Sequence, residues 1–238
     1  SLSRNGKSGL SLSESLVKPF MDISKRKTLT AAVLAASQFI LPLPLAASGK
    51  SSPTITRQIM DIDRFVEDCI NANKYSDPQA AVKEVLARAV YNPSEALAAI
   101  AEPDRAGLRV LLRSVALTIF CATWTPQMNL MPHNHLMWAN IGIYTGREDN
   151  MFWRRSSEGI RAYGAEALFE GDAAALPVDA IHSVTNPLQR FTGGIHIYGG
   201  DYFDTTRSQW DPETLQEEPS DGAVIRAIFE RENERLRY

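Results

Sequence analysis

All four histidines of this chain lie beyond its midpoint, in contexts that suit a metal site. His133 and His135 stand in Pro-His-Asn-His, His182 in Ala-Ile-His-Ser-Val-Thr-Asn, and His196 in Gly-Gly-Ile-His-Ile-Tyr-Gly-Gly. Residues two apart on an extended strand share a face, so His133 and His135 are expected to offer two imidazoles to one ion. The same period puts Tyr198 on the face of His196, where its phenol can donate a hydrogen bond. Neutral imidazole suits iron, zinc, copper or nickel.

Positioning such residues takes a folded body, and the composition allows one. The 238 residues are 44% hydrophobic and 22% charged, which suits a single sizeable core. A net charge of -3 hides an asymmetry: residues 1–59 carry eight Lys/Arg against two Asp/Glu, and residues 60–238 carry 17 against 26. An acidic body without a basic stripe argues against nucleic acid as a partner. Two cysteines, Cys69 and Cys121, are too few for a disulfide framework, and a reducing, cytoplasmic setting fits the folded part.

Residues 1–59 read as a leader. Lys25, Arg26 and Lys27 precede an apolar stretch from Leu29 to Leu45 that ends in Ala46-Ala47-Ser48-Gly49, the order of a signal or transit segment. The stretch is short and broken by Pro42 and Pro44, so it is not expected to span a membrane. If residues 1–48 do act in targeting, the protein is exported or organellar; Met60 is the alternative start of the folded unit.

From Met60 the pattern is helical, with Ile62, Phe65, Val66, Cys69 and Ile70 at helical spacing. Asp77-Pro78 and Asn92-Pro93 each predict an N-cap followed by proline in the first turn. From Leu108 short strands are expected at 109–112, 116–124, 136–144, 150–155, 165–169, 180–184 and 194–198, with turns between them. Many short strands argue for a sandwich or barrel. Residues 222–236 read as a terminal helix, the acidic segment 213–221 as a solvated turn, and Trp124, Trp138, Phe152 and Trp153 as core or barrel lining. The expected layout is a helical part over 60–105, a barrel over 106–204, and a turn and helix over 205–238.

Over about residues 108–204 the chain resembles the cupins, whose second motif, G-x5-P-x-G-x2-H-x3-N, is met by Gly171, Pro177, His182 and Asn186, with Asp179 at the middle glycine. The first motif, H-x-H-x3-4-E-x6-G, is met by His133, His135 and Gly146, with Ala139 where most metal cupins have glutamate. Three histidines without that glutamate, Trp124 nine residues ahead, and the later His196/Tyr198 pair resemble the thiol dioxygenases within that superfamily. The resemblance implies a mainly β double-stranded β-helix, the cupin jelly-roll barrel, with N-terminal helices and a C-terminal helix. It further implies Fe(II) on His133, His135 and His182, with His196 and Tyr198 as catalytic residues. The implied reaction oxidises a small thiol with O2 to its sulfinate.

Two departures stand out. Gly194 occupies the place where these enzymes commonly carry a serine two residues before the histidine of the pair. The arginine that would bind a substrate carboxylate is best matched by Arg113, with Arg109 as the alternative. Two other readings share the ligands: a three-histidine cupin that cleaves C–C bonds in a β-dicarbonyl, and a cupin that binds metal without catalysis.

Overall fold

The computed structural model describes residues 60–237. The expected leader, residues 1–59, and with it the targeting reading, lies outside the described residues. Three helices come first: α1 (Ile62–Ala72), α2 (Pro78–Val90) and α3 (Pro93–Ile100). Asp61 caps α1 by accepting from the Arg64 amide, and Asp77 caps α2 by accepting from that of Ala80. Pro78 and Pro93 open the second and third helices, where a missing N–H costs nothing. Asn92 makes no side-chain bond to the backbone of α3; its amide donates instead to Glu95 Oε1.

Eleven strands follow: β1 (Gly107–Arg113), β2 (Thr118–Trp124), β3 (Asn129–Asn134), β4 (Ala139–Thr145), β5 (Arg147–Ser156), β6 (Gly159–Phe169), β7 (Ala173–Leu176), β8 (Ile181–Thr185), β9 (Thr192–Tyr198), β10 (Ser208–Trp210) and β11 (Glu217–Pro219). Helix α4 (Gly222–Arg235) closes the chain. They form two antiparallel sheets, ordered β1-β2-β9-β4-β7 and β11-β10-β3-β8-β5-β6. From β2 to β5 and from β6 to β10 the chain changes sheet at every step, and this winding makes a double-stranded β-helix.

Three expectations are corrected. A separate strand, β3, carries His133, and the strand expected from Leu136 begins only at Ala139. Proline at 132 and asparagines at 129 and 134 lower its strand propensity, and pairing with β8 overrides that. Strand β5 starts at Arg147, three residues before the expected Asn150, because a charged sequence there pairs with β6 along its whole length. The segment from 205 to 221 is more than a turn: β10 and β11 extend the second sheet, and β10 pairs β3 at Gln209–His133.

In the first sheet β2, β4 and β9 are buried on both sides. Its outer face packs Ile119, Cys121, Ile195 and Ile197 against Val82, Leu86 and Val90 of α2. Gly142 of β4 allows this approach, since a Cβ there would stand 2.8 Å from Leu86. The inner face contributes Phe120, Trp124, Ile141 and Tyr198 to a second core between the sheets. Helix α4 seals one end of that core: Phe229 stacks on Trp124 at 5.6 Å, and Asn233 exchanges two hydrogen bonds with the Ala106 backbone, 2.7 and 3.0 Å. The motif glycine Gly146 has φ +83°, its amide donates to Glu170, and a side chain would strike Thr192. Motif Asn186, buried, donates to the carbonyls of Trp124, Thr125 and Arg190 and so ties two loops together.

Candidate metal centre

Antiparallel register brings His133 and His182 together, because β3 pairs with β8 so that the two lie opposite each other. His135 sits one residue beyond β3 rather than on it, and the chain turns there through Leu136 at φ +54°. Its ring still meets the others: centroids are 5.1 Å apart for His133–His135, 4.9 Å for His135–His182 and 4.6 Å for His133–His182. One nitrogen from each of the three lies within 4.8 Å of the others, and all three side chains are buried. Burial depresses their pKa values, His133 to about 4 and His135 and His182 well below the ordinary histidine value, with the charge of Arg207 adding to the effect on His133 and His135. They are neutral at physiological pH, the form that ligates metal.

The hydrogen bonds show which nitrogens are free. His133 Nδ1 donates to the Met131 carbonyl at 3.0 Å, which leaves Nε2 as a lone-pair donor. Asn150 donates through Nδ2 to Glu148 Oε1 at 3.2 Å, so its oxygen faces His182 Nδ1, 2.6 Å away. That tautomer leaves a lone pair on His182 Nε2, which stands 3.2 Å from His135 Nε2. Among the described residues His135 Nδ1 is buried without a hydrogen-bond partner. A cation bonded at about 2.1 Å to two nitrogens at a right angle would hold them about 3.0 Å apart, close to the spacing found. The residues therefore fit a transition metal held by three neutral imidazoles.

The surroundings are aromatic. His196 faces the same interior from β9, stacked on Phe120 at 5.6 Å, with its Nδ1 3.3 Å from the Tyr198 hydroxyl. Tyr198 packs edge-on to His135 at 4.9 Å and against Tyr202 at 4.4 Å. Burial raises its phenol well above the usual tyrosine range, so it remains an O–H donor. The free space among these side chains is about 20 Å³, room for an ion or a water, closed on one side by Ile225 and Phe229 of α4.

Three residues beside the site were absent from the sequence reading. Glu148 of β5 is fully buried, accepts from Trp124 Nε1 at 2.8 Å and stands 3.2 Å from His196 Nε2. Burial alone would raise its pKa; the field of His196 and hydrogen bonds from Trp124 and Asn150 outweigh that and hold it below the usual carboxylate value. Asn150 follows two residues later on the same face. Their signal was present as Glu-Asp-Asn at alternating positions, hidden by the late strand start. Arg207 is the third: its guanidinium lies 3.9 Å from the centre of the Tyr202 ring and donates to the carbonyls of Tyr202 and Thr205. Arg113, by contrast, is half-exposed, pairs through Nε with both oxygens of Asp201, and does not line the histidine cavity. Neither Arg109, the alternative, nor Arg207 lines it, but the charge of Arg207 acts on His133 and His135.

No protein-family model matches this chain, and no curated protein is similar to it in sequence. Solved structures do match. A protein from Bacillus halodurans is 17% identical over 52% of this chain and 85% of its own, with a TM-score of 0.38. A variant oxalate decarboxylase from Bacillus subtilis is 16% identical over 43% of this chain and 28% of its own, TM-score 0.35. An RmlC-like cupin family protein with a double-stranded β-helix fold, from Methanocaldococcus jannaschii, is 10% identical over 43% of this chain and 86% of its own, TM-score 0.34. The double-stranded β-helix of this chain is read from its own strand order and register. Among the described residues no helix is long and apolar enough to cross a membrane.

Proposed function

We propose that this protein is an Fe(II)-dependent thiol dioxygenase that converts a small thiol to its sulfinate. The observation that carries the reading is a buried donor set of three neutral imidazoles, with no carboxylate among the donors and a phenol hydroxyl at its side. A neutral set leaves the metal's full charge for an anionic substrate atom, and a thiolate is the soft anion that suits it. Fe(II) held by these imidazoles would supply open positions for thiolate and O2, and both oxygen atoms would end on sulfur. The balance is RS⁻ + O2 → RSO2⁻: sulfur gives up four electrons, O2 takes them, and no added reductant is consumed.

The chain's own residues then divide the work. His133, His135 and His182 would hold the metal. Tyr198 donates its phenol hydrogen to the substrate or to oxygen, since burial keeps it protonated. His196, 3.3 Å from that hydroxyl, orients it. Phe120, Trp124, Tyr202 and Phe229 wall the space against water. Arg207, which covers Tyr202 and has a buried Nε without a partner among the described residues, is a second candidate beside Arg113 for the cation that meets a substrate carboxylate.

The test is iron-loaded protein in an oxygen electrode with a panel of small thiols, the product identified by mass spectrometry. One O2 consumed per sulfinate formed is the expected result. Oxygen uptake with a β-dicarbonyl and none with any thiol would replace this reading by C–C cleavage.

A further inference from the structure

The mechanism above leaves the charge of Glu148 without a task, although a carboxylate buried inside a barrel is costly unless its partners hold it. Those partners run in two directions. Through Oε2 the carboxylate meets Trp124 Nε1 at 2.8 Å and stands 3.2 Å from His196 Nε2, whose other nitrogen faces Tyr198. Through Oε1 it accepts from Asn150, which in turn accepts from metal-site His182 at 2.6 Å. One anion thus touches both halves of the site. Gly194 leaves room for this arrangement, since a Cβ there would stand 3.3 Å from His196 Nε2, on the nitrogen that faces Glu148.

We propose that Glu148 is a positioning residue that sets two rings at once: His182, through Asn150, and His196, directly. The first arm fixes the His182 tautomer. With Asn150 Nδ2 turned to Glu148, only its oxygen can face His182, so Nδ1 carries the hydrogen and Nε2 the lone pair. The second arm keeps the His196 ring beside Tyr198. Only this second arm rests on the proposed dioxygenase activity; the first needs the metal site alone.

Co(II) binding, read by absorption spectroscopy on otherwise metal-free protein, tests the first arm without turnover. Glu148→Gln keeps the shape but lets an amide replace the carboxylate, so the Asn150 amide is free to flip. Co(II) affinity should fall about tenfold or more, in the range general for partners behind metal-bound histidines. Asn150→Ala should fall as far, and the double variant no further, because the two act in series. Tyr198→Phe should bind Co(II) like the parent. Parent-like affinity in both Glu148→Gln and Asn150→Ala, or losses that simply add, would overturn the first arm. If Glu148→Gln does not fold, Glu148→Asp decides it, since that variant keeps the charge but draws it back from Asn150: Co(II) affinity like the parent's would overturn the first arm. For the second arm, Glu148→Gln loaded to the same iron content should lose about tenfold in kcat with KM moved less than twofold; an unchanged kcat would remove it. A parent protein inactive on every thiol would defeat the dioxygenase reading and leave the Co(II) result standing.

Discussion

Four consecutive residues of β9 face two different interiors. Ile195 and Ile197 point outward and are fully buried against the helix layer, while His196 and Tyr198 point inward and are almost as deeply buried between the sheets. The outer layer is dominated by aliphatic contacts, which stabilise the fold in any arrangement that fills space. The inner face carries histidines, a carboxylate and an amide, and two of the histidine nitrogens make no hydrogen bond among the described residues. Of four buried side-chain nitrogens and oxygens that make no hydrogen bond among the described residues, three belong to this inner end: His135 Nδ1, Arg207 Nε and His196 Nε2, which meets Glu148 only as a charge contact at 3.2 Å. Equal burial therefore hides unequal tasks. Unsatisfied polarity at depth marks the face where a ligand completes the bonding, and saturated apolar contact marks the face that only holds the sheet.

The contrast breaks most sharply at the histidines. His182→Ala should abolish stoichiometric iron binding and with it turnover, by a hundredfold or more (roughly 3 kcal/mol in transition-state terms), while the far-UV spectrum stays that of the parent. Retained metal and activity in this variant would dissolve the inner face as a site. Tyr198→Phe, on the same face but not a ligand, should keep its iron and lose about ten- to a thousandfold in rate, or about 1.5–4 kcal/mol. Single-turnover measurements on iron-matched samples check this.

The outer face should answer the other way. Ile197→Ala removes aliphatic volume from the helix-sheet core and should cost about 2–5 kcal/mol of stability by urea denaturation, with metal affinity unchanged. A metal loss there equal to that of His182→Ala would mean that the faces are not separable. Arg207→Gln sits between these cases: stability should shift little, and KM for a carboxylate-bearing thiol should rise about tenfold (about 1.4 kcal/mol) relative to a thiol without the carboxylate.

A surface pair outside both faces gives the smallest effect. Hydrogen bonds from Arg155 and then Ser208 hold Glu217 down to about 2, below its ordinary value of 4.5. A depressed carboxylate stabilises the fold above its unfolded pKa, so this contribution is intact above about pH 4.5 and is lost as pH falls toward 2. The pair is substantially exposed, and its loss in Glu217→Gln should amount to only roughly 0.2–1 kcal/mol. Denaturation curves of parent and variant should converge as the pH drops through that window.

The sequence by itself determined the parts whose information is local. Helix starts at Asp61 and at Asp77-Pro78 follow from capping chemistry, and strand alternation placed His196 and Tyr198 on one face. The spacing that marked His133, His135 and His182 was also legible, because turn glycines and a loop-tying asparagine must stand at set distances from the ligands. Tertiary structure decided what depends on register between distant strands. Pairing of β3 with β8 set His133 against His182, pairing of β5 with β8 put Asn150 within reach of His182, and the same strand carried Glu148 to His196. No local pattern separates Arg113, drawn outward to Asp201, from Arg207, laid over Tyr202. Both are arginines near strand ends, and only the partner that each finds in the folded chain tells a surface ion pair from a charge beside the site.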